Sequence, residues 1–242
     1  MKLFIHGVPD TGYMWAPVIS ALGLAKGDYS APTMPGFDGK LPPGFAATKE
    51  AYLKWVINTL DTAAATAGPV DIVGHDWGAP LTAMAALARP DAIRSWTIIN
   101  AVPEPTYEWH SLARIWQRPI VGELFMALGS KAKFRDQLVG AGMPSTIADH
   151  EAPLINADMK RAILRLYRSA KNPSDWTADF SGIADRGLIL WGADDEFVPM
   201  KFAQRFSERF DIPLISEGGV GHWGICQRPE AFAEHLKARW AA

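Results

Sequence analysis

Short apolar runs alternate with helical spacings through the first hundred residues. Leu3-Phe4-Ile5 reads as a buried strand that ends at His6-Gly7. Ala51 to Ala65 places Leu53, Val56, Ile57 and Leu60 on one face of a helix. Val70-Asp71-Ile72-Val73 is the next strand, ending at Gly74. Trp77 to Ala88 is rich in Ala, Leu and Met, with Pro80 tolerated in a first helical turn, and Arg89-Pro90 stops it. Trp96 to Ile99 is a further strand, followed by Asn100. Strand and helix in this rhythm predict a parallel sheet with helices on both faces.

The rhythm breaks at Pro103. From there to about Asp179 the spacing is helical and no strand stands out. One helix is expected from Asp158, read as its N-cap, to Ala170. Met159, Ala162, Ile163, Leu166 and Tyr167 form its apolar face. Strands return at Gly187 to Trp191 and at Leu214-Ile215, with helices from Met200 to Arg209 and from Pro229 to Trp240. The chain therefore reads as a helical insertion between two strands of a parallel sheet. Such an insertion is expected over the carboxyl ends of the strands, where ligands bind. No internal repeat or low-complexity tract interrupts the pattern.

Composition narrows the class. The 242 residues are 48% hydrophobic and 21% charged, enough apolar side chain for a sizeable core. Lys plus Arg number 24 against 26 Asp plus Glu, so a basic face that tracks nucleic acid is not expected. The single cysteine, Cys226, excludes an intrachain disulfide and a cysteine-rich zinc site. The six histidines are scattered without ligand spacing, and neither a metal nor a cofactor is expected. No apolar run approaches the ~20 residues of a membrane span, and the N-terminal apolar stretch is too short for a signal peptide. A cytoplasmic location is the expectation. Ten tryptophans suggest apolar ligand surface as well as core.

Four short motifs carry chemistry. Gly74-His75-Asp76-Trp77-Gly78 lies between a strand and a helix, with glycines flanking a central residue at a tight turn. Its alternative reading is an Asp that N-caps the following helix. His6-Gly7-Val8-Pro9 ends the first strand, where the backbone N–H groups of Val8 and Trp77 would converge on one spot. Gly221-His222-Trp223 follows the last strand, where a base has to stand. Trp191-Gly192-Ala193-Asp194-Asp195-Glu196 follows the preceding strand and offers a carboxylate to orient it. The order along the chain is nucleophile, acid, histidine.

These motifs resemble those of α/β-hydrolases of the epoxide hydrolase and haloalkane dehalogenase branch, and they span nearly the whole chain. The resemblance implies an α/β-hydrolase core of residues 1–102 and 179–242. A helical cap of residues 103–178 follows the strand that ends near Asn100. Relatives begin with two more strands, so the sheet is expected to have about six, or the recorded start is late. A short sheet leaves one edge that a second subunit could cover. By resemblance, Asp76 is the nucleophile, His222 the base and Asp195 its acid partner. The Val8 and Trp77 amides are the oxyanion donors. An aspartate is ionised at neutral pH and attacks saturated carbon without losing a proton first.

The leaving group separates the branch members. Epoxide hydrolases protonate the departing alkoxide with cap tyrosines, and Tyr167 resembles one of them. Tyr107 matches the second position poorly. Dehalogenases hold halide with N–H donors, here Trp77 with Trp109 or Trp116. Val8 replaces the dehalogenase asparagine after His-Gly. The expected activity is epoxide hydrolysis of a small apolar organic substrate with water. Haloalkane dehalogenation is the alternative, and an esterase or a non-catalytic binding protein comes after it.

Overall fold

In the computed structural model, which describes residues 1–241, six parallel strands form one sheet. They are β1 (Lys2–Ile5), β2 (Tyr29–Ser30), β3 (Val70–His75), β4 (Ile93–Ile99), β5 (Gly187–Gly192) and β6 (Leu214–Glu217), in the spatial order β2-β1-β3-β4-β5-β6. β3 and β5 are buried along their whole length, because helices cover both faces of the sheet. Asp71 is tolerated inside β3 because Ser95 donates to it at 2.7 Å and Lys2 pairs with it. The two-residue β2 is too short to leave a periodic signal in the sequence.

The helices are α1 (Ala16–Leu22), α2 (Lys49–Ala67), α3 (Gly78–Ala88), α4 (Ser111–Gln117), α5 (Val121–Leu128), α6 (Lys131–Gly140), α7 (Ser145–Glu151), α8 (Ala157–Ser169), α9 (Lys201–Phe210), α10 (Gly224–Gln227) and α11 (Pro229–Ala241). Helix α1 packs on α11, and α2 on α3. Thr48 caps α2 by accepting from the Ala51 N–H, and Gly68 ends it at φ 71°. Helices α4 to α8 lie between β4 and β5 in the chain. The buried face expected for α8 is the one observed.

The N-cap of α8 differs from the expectation. Asn156, not Asp158, accepts from the first helical N–H groups, those of Asp158 and Met159. Asp158 sits inside the first turn, and its carboxylate accepts instead from the Leu41 N–H.

Register levels the carboxyl ends of the strands. Ile5 lies opposite Gly74, His75 opposite Ile99, and Ile99 opposite Leu190. The chain winds outward from β1 to β2, then crosses to β3 on the other side and continues that way. The reversal falls between β1 and β3, which is where such sheets open a crevice.

Candidate active site

Asp76 stands at that crevice, directly after β3. Its backbone is left-handed, with φ 48°, a conformation costing on the order of 1–2 kcal/mol in a residue with a side chain. The turn is held from both sides: the Asp76 N–H donates to the Ile99 carbonyl, and the Asp76 carbonyl accepts from the Ala79 N–H. Two glycines make it possible. A Cβ on Gly74 would lie 2.2 Å from the Gly78 carbonyl oxygen, and one on Gly78 would lie 2.1 Å from that of Ile5. The alternative reading of Asp76 as a helix cap fails, since α3 has no side-chain cap. The carboxylate faces a cavity instead.

Val8 donates its N–H to Asp76 Oδ2 at 2.7 Å. His222 Nε2 lies 3.6 Å from Asp76 Oδ1, and His222 Nδ1 lies 2.8 Å from Asp195 Oδ2. The structure thus brings Asp76, His222 and Asp195 into one line. At rest the contact on the Asp76 carboxylate is with Val8, the first of the two N–H groups expected there.

Asp195 is itself pinned. Its Oδ1 accepts from the Phe197 and Val198 N–H groups at 2.8 and 3.0 Å, and its Oδ2 accepts from the Asn100 amide at 2.8 Å. Asn100 also accepts from the Gly192 N–H at 3.1 Å, with left-handed backbone at φ 54°. Asn100 follows the last residue of β4. It holds the Asp195 carboxylate in place, and its position at a strand's carboxyl end is the signal in the sequence.

Charges follow from this packing. Burial alone would raise the Asp76 carboxyl, but the His222 hydrogen bond and charge, nearby His75 and the Val8 N–H hold it below its ordinary value. Asp195 is held low in the same way, against its burial, by the His222 charge first. Burial pushes the His222 imidazole down. The Asp195 charge and hydrogen bond, then Asp76, overcome this and raise it to about 10. At rest, therefore, His222 is an imidazolium between two carboxylates.

The cavity above Asp76 has a volume of about 280 Å³. It is mainly apolar and aromatic, with Trp77, Trp116, Trp176, Tyr167, Phe134 and Phe197 in its wall. Residues of the insertion and of the sheet line it together. Trp77 stacks on Trp109 and meets Tyr167 edge-on at 5.3 Å. Burial, then the Asp76 charge, push the Tyr167 hydroxyl well above its ordinary value, so it keeps its proton.

The leaving-group candidates separate. Trp109 lines the cavity, but its indole N–H donates to the Ala170 and Lys171 carbonyls, so it has no hydrogen bond to offer a halide. This corrects the expectation for Trp109. Trp116 keeps an indole N–H that is buried without a partner. The Tyr107 hydroxyl donates to the Phe197 carbonyl at 3.1 Å. His110 was not foreseen. Its Nδ1 accepts from the Ala113 N–H as the N-cap of α4, which puts the ring proton on Nε2. Burial lowers its pKa to about 4, so His110 is a neutral donor in the cavity wall. A histidine beside a tryptophan carries no periodic signal, and only the capping contact reveals its tautomer. Among the described residues no cluster of three or more His, Cys, Asp or Glu is placed to hold a metal ion.

The model of the alpha/beta hydrolase family matches residues 3–235. The chain belongs to this family. A segment of 95 residues is 37% identical to an epoxide hydrolase of Caballeronia sordidicola, covering 38% of this chain. The match spans only 28% of that enzyme's length. An uncharacterized hydrolase of Bacillus subtilis is 22% identical over 96% of this chain and 86% of its own. Among solved structures, a 2-hydroxy-6-oxo-6-phenylhexa-2,4-dienoate hydrolase from Rhodococcus sp. strain RHA1 superposes with TM-score 0.81 at 16% identity, covering all of this chain and 90% of that one. The epoxide hydrolase from Vigna radiata gives 0.77 at 18% identity over 98% and 89%. A haloalkane dehalogenase from Bradyrhizobium elkanii gives 0.76 at 22% over 99% and 90%. At these identities the structures share the hydrolase fold with this chain. No helix among the described residues is long and apolar enough to cross a membrane.

Proposed function

We propose that this hydrolase works through a covalent ester on Asp76 and opens an epoxide to a vicinal diol. The observation that carries the reading is the placement of Asp76: a carboxylate at a left-handed turn, with Val8 N–H on one oxygen and His222 Nε2 near the other. Asp76 Oδ1, the oxygen not held by Val8, attacks an epoxide carbon. The C–O bond breaks, and the alkoxide takes the proton of Tyr167, with His110 Nε2–H as the second donor. The ester no longer carries the Asp76 charge, so the imidazolium of His222 loses one of its two supports and releases its proton, which returns the Tyr167 phenolate to its hydroxyl. Neutral His222 then takes a proton from water, and the hydroxide attacks Cγ of Asp76. The oxyanion that develops is met by the N–H groups of Val8 and Trp77, where one such donor is typically worth ~10²–10³ in rate. On collapse the departing alkoxide takes the proton that the hydroxide carried onto the Asp76 carboxyl, which frees the diol and restores the carboxylate. Helices α4 to α8 act in this scheme as a cap that keeps bulk water from the ester.

Tyr167 and His110 favour an epoxide, because both retain a proton to give to an alkoxide. A second reading, halide displacement, rests on the indoles of Trp77 and Trp116. Both are tested with styrene oxide and 1-bromohexane, scoring diol formation and bromide release, with Asp76→Asn as the inactive control. Diol from wild type supports the first reading and bromide the second. Turnover that survives Asp76→Asn overturns both.

A further inference from the structure

Behind His222 lies a group of buried polar side chains that the reaction above does not use. Asp10, Glu151 and His75 are wholly buried, and Thr11 and Trp223 nearly so. Polar groups are rare at such depth unless they are paired, and unpaired charge there is costly.

Their contacts connect three parts of the molecule. Trp223 donates its indole N–H to both oxygens of Asp10 at 3.2 Å. Asp10 lies two residues beyond Val8, the donor to Asp76, and Trp223 directly follows His222. One carboxylate thus links the loop of the oxyanion donor to the loop of the base. His75 adds a second tie, its Nε2–H donating to the His222 carbonyl at 2.7 Å. The third part is the insertion. Thr11 donates its hydroxyl to Glu151 Oε1 at 2.9 Å, joining the last residue of α7 to the residue after Asp10.

The group is not fully satisfied. Glu151 Oε2 and His75 Nδ1 are buried without hydrogen-bond partners, and His75 Nδ1 lies 3.7 Å from Asp10 Oδ2. Two carboxyl groups in a dry site resist ionising together. Glu151 accordingly holds its proton up to about pH 8, through burial first and the Asp10 charge second. The other groups facing it are few. The Cys226 thiol of α10 is pushed up by burial and by both carboxyls, so it stays neutral. On α7 itself, His150 stacks outward on Tyr13 and Asp149 pairs with Arg135.

We propose that Asp10 is a positioning residue for His222 and Val8, and that Glu151 latches the insertion onto it through Thr11. The latch is closed when Glu151 is neutral. Ionised beside Asp10, it has no donor for its second oxygen and repels the carboxylate that aligns the site. The sign of the stability effect follows from the raised carboxyl. Its contribution is fully present below about pH 4.5, the ordinary value, and is lost as pH rises to about 8.

The experiment compares wild type with Glu151→Gln and Asp10→Asn. Melting temperature is followed from about pH 4.5 to about pH 9, with kcat and KM for styrene oxide or 1-bromohexane, whichever is turned over. Wild type should lose several degrees across that window, and Glu151→Gln should flatten the fall. Asp10→Asn should lower kcat by at least about tenfold at pH 7 with KM within about threefold, because alignment and not binding is lost. Trp223→Phe, which deletes the N–H and keeps an aromatic body, should copy that split if Asp10→Asn fails to fold. Parallel melting curves for wild type and Glu151→Gln overturn the latch. A folded Asp10→Asn with unchanged kcat overturns the positioning role. The melting arm needs no substrate, so it stands apart from the ester mechanism on Asp76. If neither probe is turned over, that mechanism loses its support while the latch is still decided.

Discussion

Replacing His222 by Gln separates the two chemical steps proposed for this site. Asp76 is held ionised by its surroundings, and its attack on carbon removes no proton. The first step therefore needs no base. The second step takes a proton from water, and the group placed to accept it is His222 Nε2, 3.6 Å from Asp76 Oδ1. General-base assistance is typically worth ~10²–10⁴ in rate, or about 3–5 kcal/mol of barrier. In His222→Gln the ester should form at close to the wild-type rate and persist longer by that factor. Intact-protein mass spectrometry after mixing with styrene oxide reads the outcome. Ring opening expels nothing, so the protein should gain the whole mass of the epoxide. With 1-bromohexane it should gain the hexyl group while bromide leaves. Peptide mapping should place either label on Asp76, and Asp76→Asn should remain unlabelled. A substrate that wild type turns over but that never labels His222→Gln refutes the mechanism, as does a label elsewhere.

Three further outcomes are expected. Because the ester removes the Asp76 support from a histidine held at about 10, hydrolysis should quicken as pH rises through a value below 10, and ester should accumulate on the acid side. Quenched single-turnover experiments check this, and an ester fraction that does not vary with pH contradicts it. Tyr167→Phe should slow epoxide opening by ~10²-fold or more, the usual worth of a placed acid, while His110→Phe removes the second donor with a smaller loss. Pre-steady-state alkylation rates read both, and unchanged alkylation in the pair of variants removes the donors from the scheme. Gly7→Ala would put a Cβ 2.4 Å from the Cβ and Oδ2 of Asp76, a side chain that its turn cannot release. Overpacking of this kind costs about 1–3 kcal/mol, and activity should fall further than the melting temperature suggests.

Much of the frame could be read along the chain. Strand runs and helical spacing are local signals, and β1, β3, β4, β5 and β6 lie where apolar runs placed them. The short β2 and helix α1 carried too little periodicity. The turn at Asp76 was legible because its glycines answer a steric demand that the sequence must meet: any Cβ at 74 or 78 would strike backbone. The cap at Asn156 was misplaced by two residues, since Asn and Asp compete for that position and only the hydrogen bonds separate them.

Tertiary structure decided which groups keep a free proton or a free N–H. Trp109 and Trp116 are alike in sequence, yet one indole is spent on the Ala170 and Lys171 carbonyls and the other is not. His110 is neutral through burial and carries its proton on Nε2 through capping α4, and Asn100 is a support only by facing Asp195. Asp10 and Glu151 lie 141 positions apart and face one another only because α7 folds back onto the loop after β1. Local order along a chain specifies where elements begin and what they bury. Hydrogen-bond partners and burial come from residues far apart in it, and these set the charge and reach of every side chain at the site.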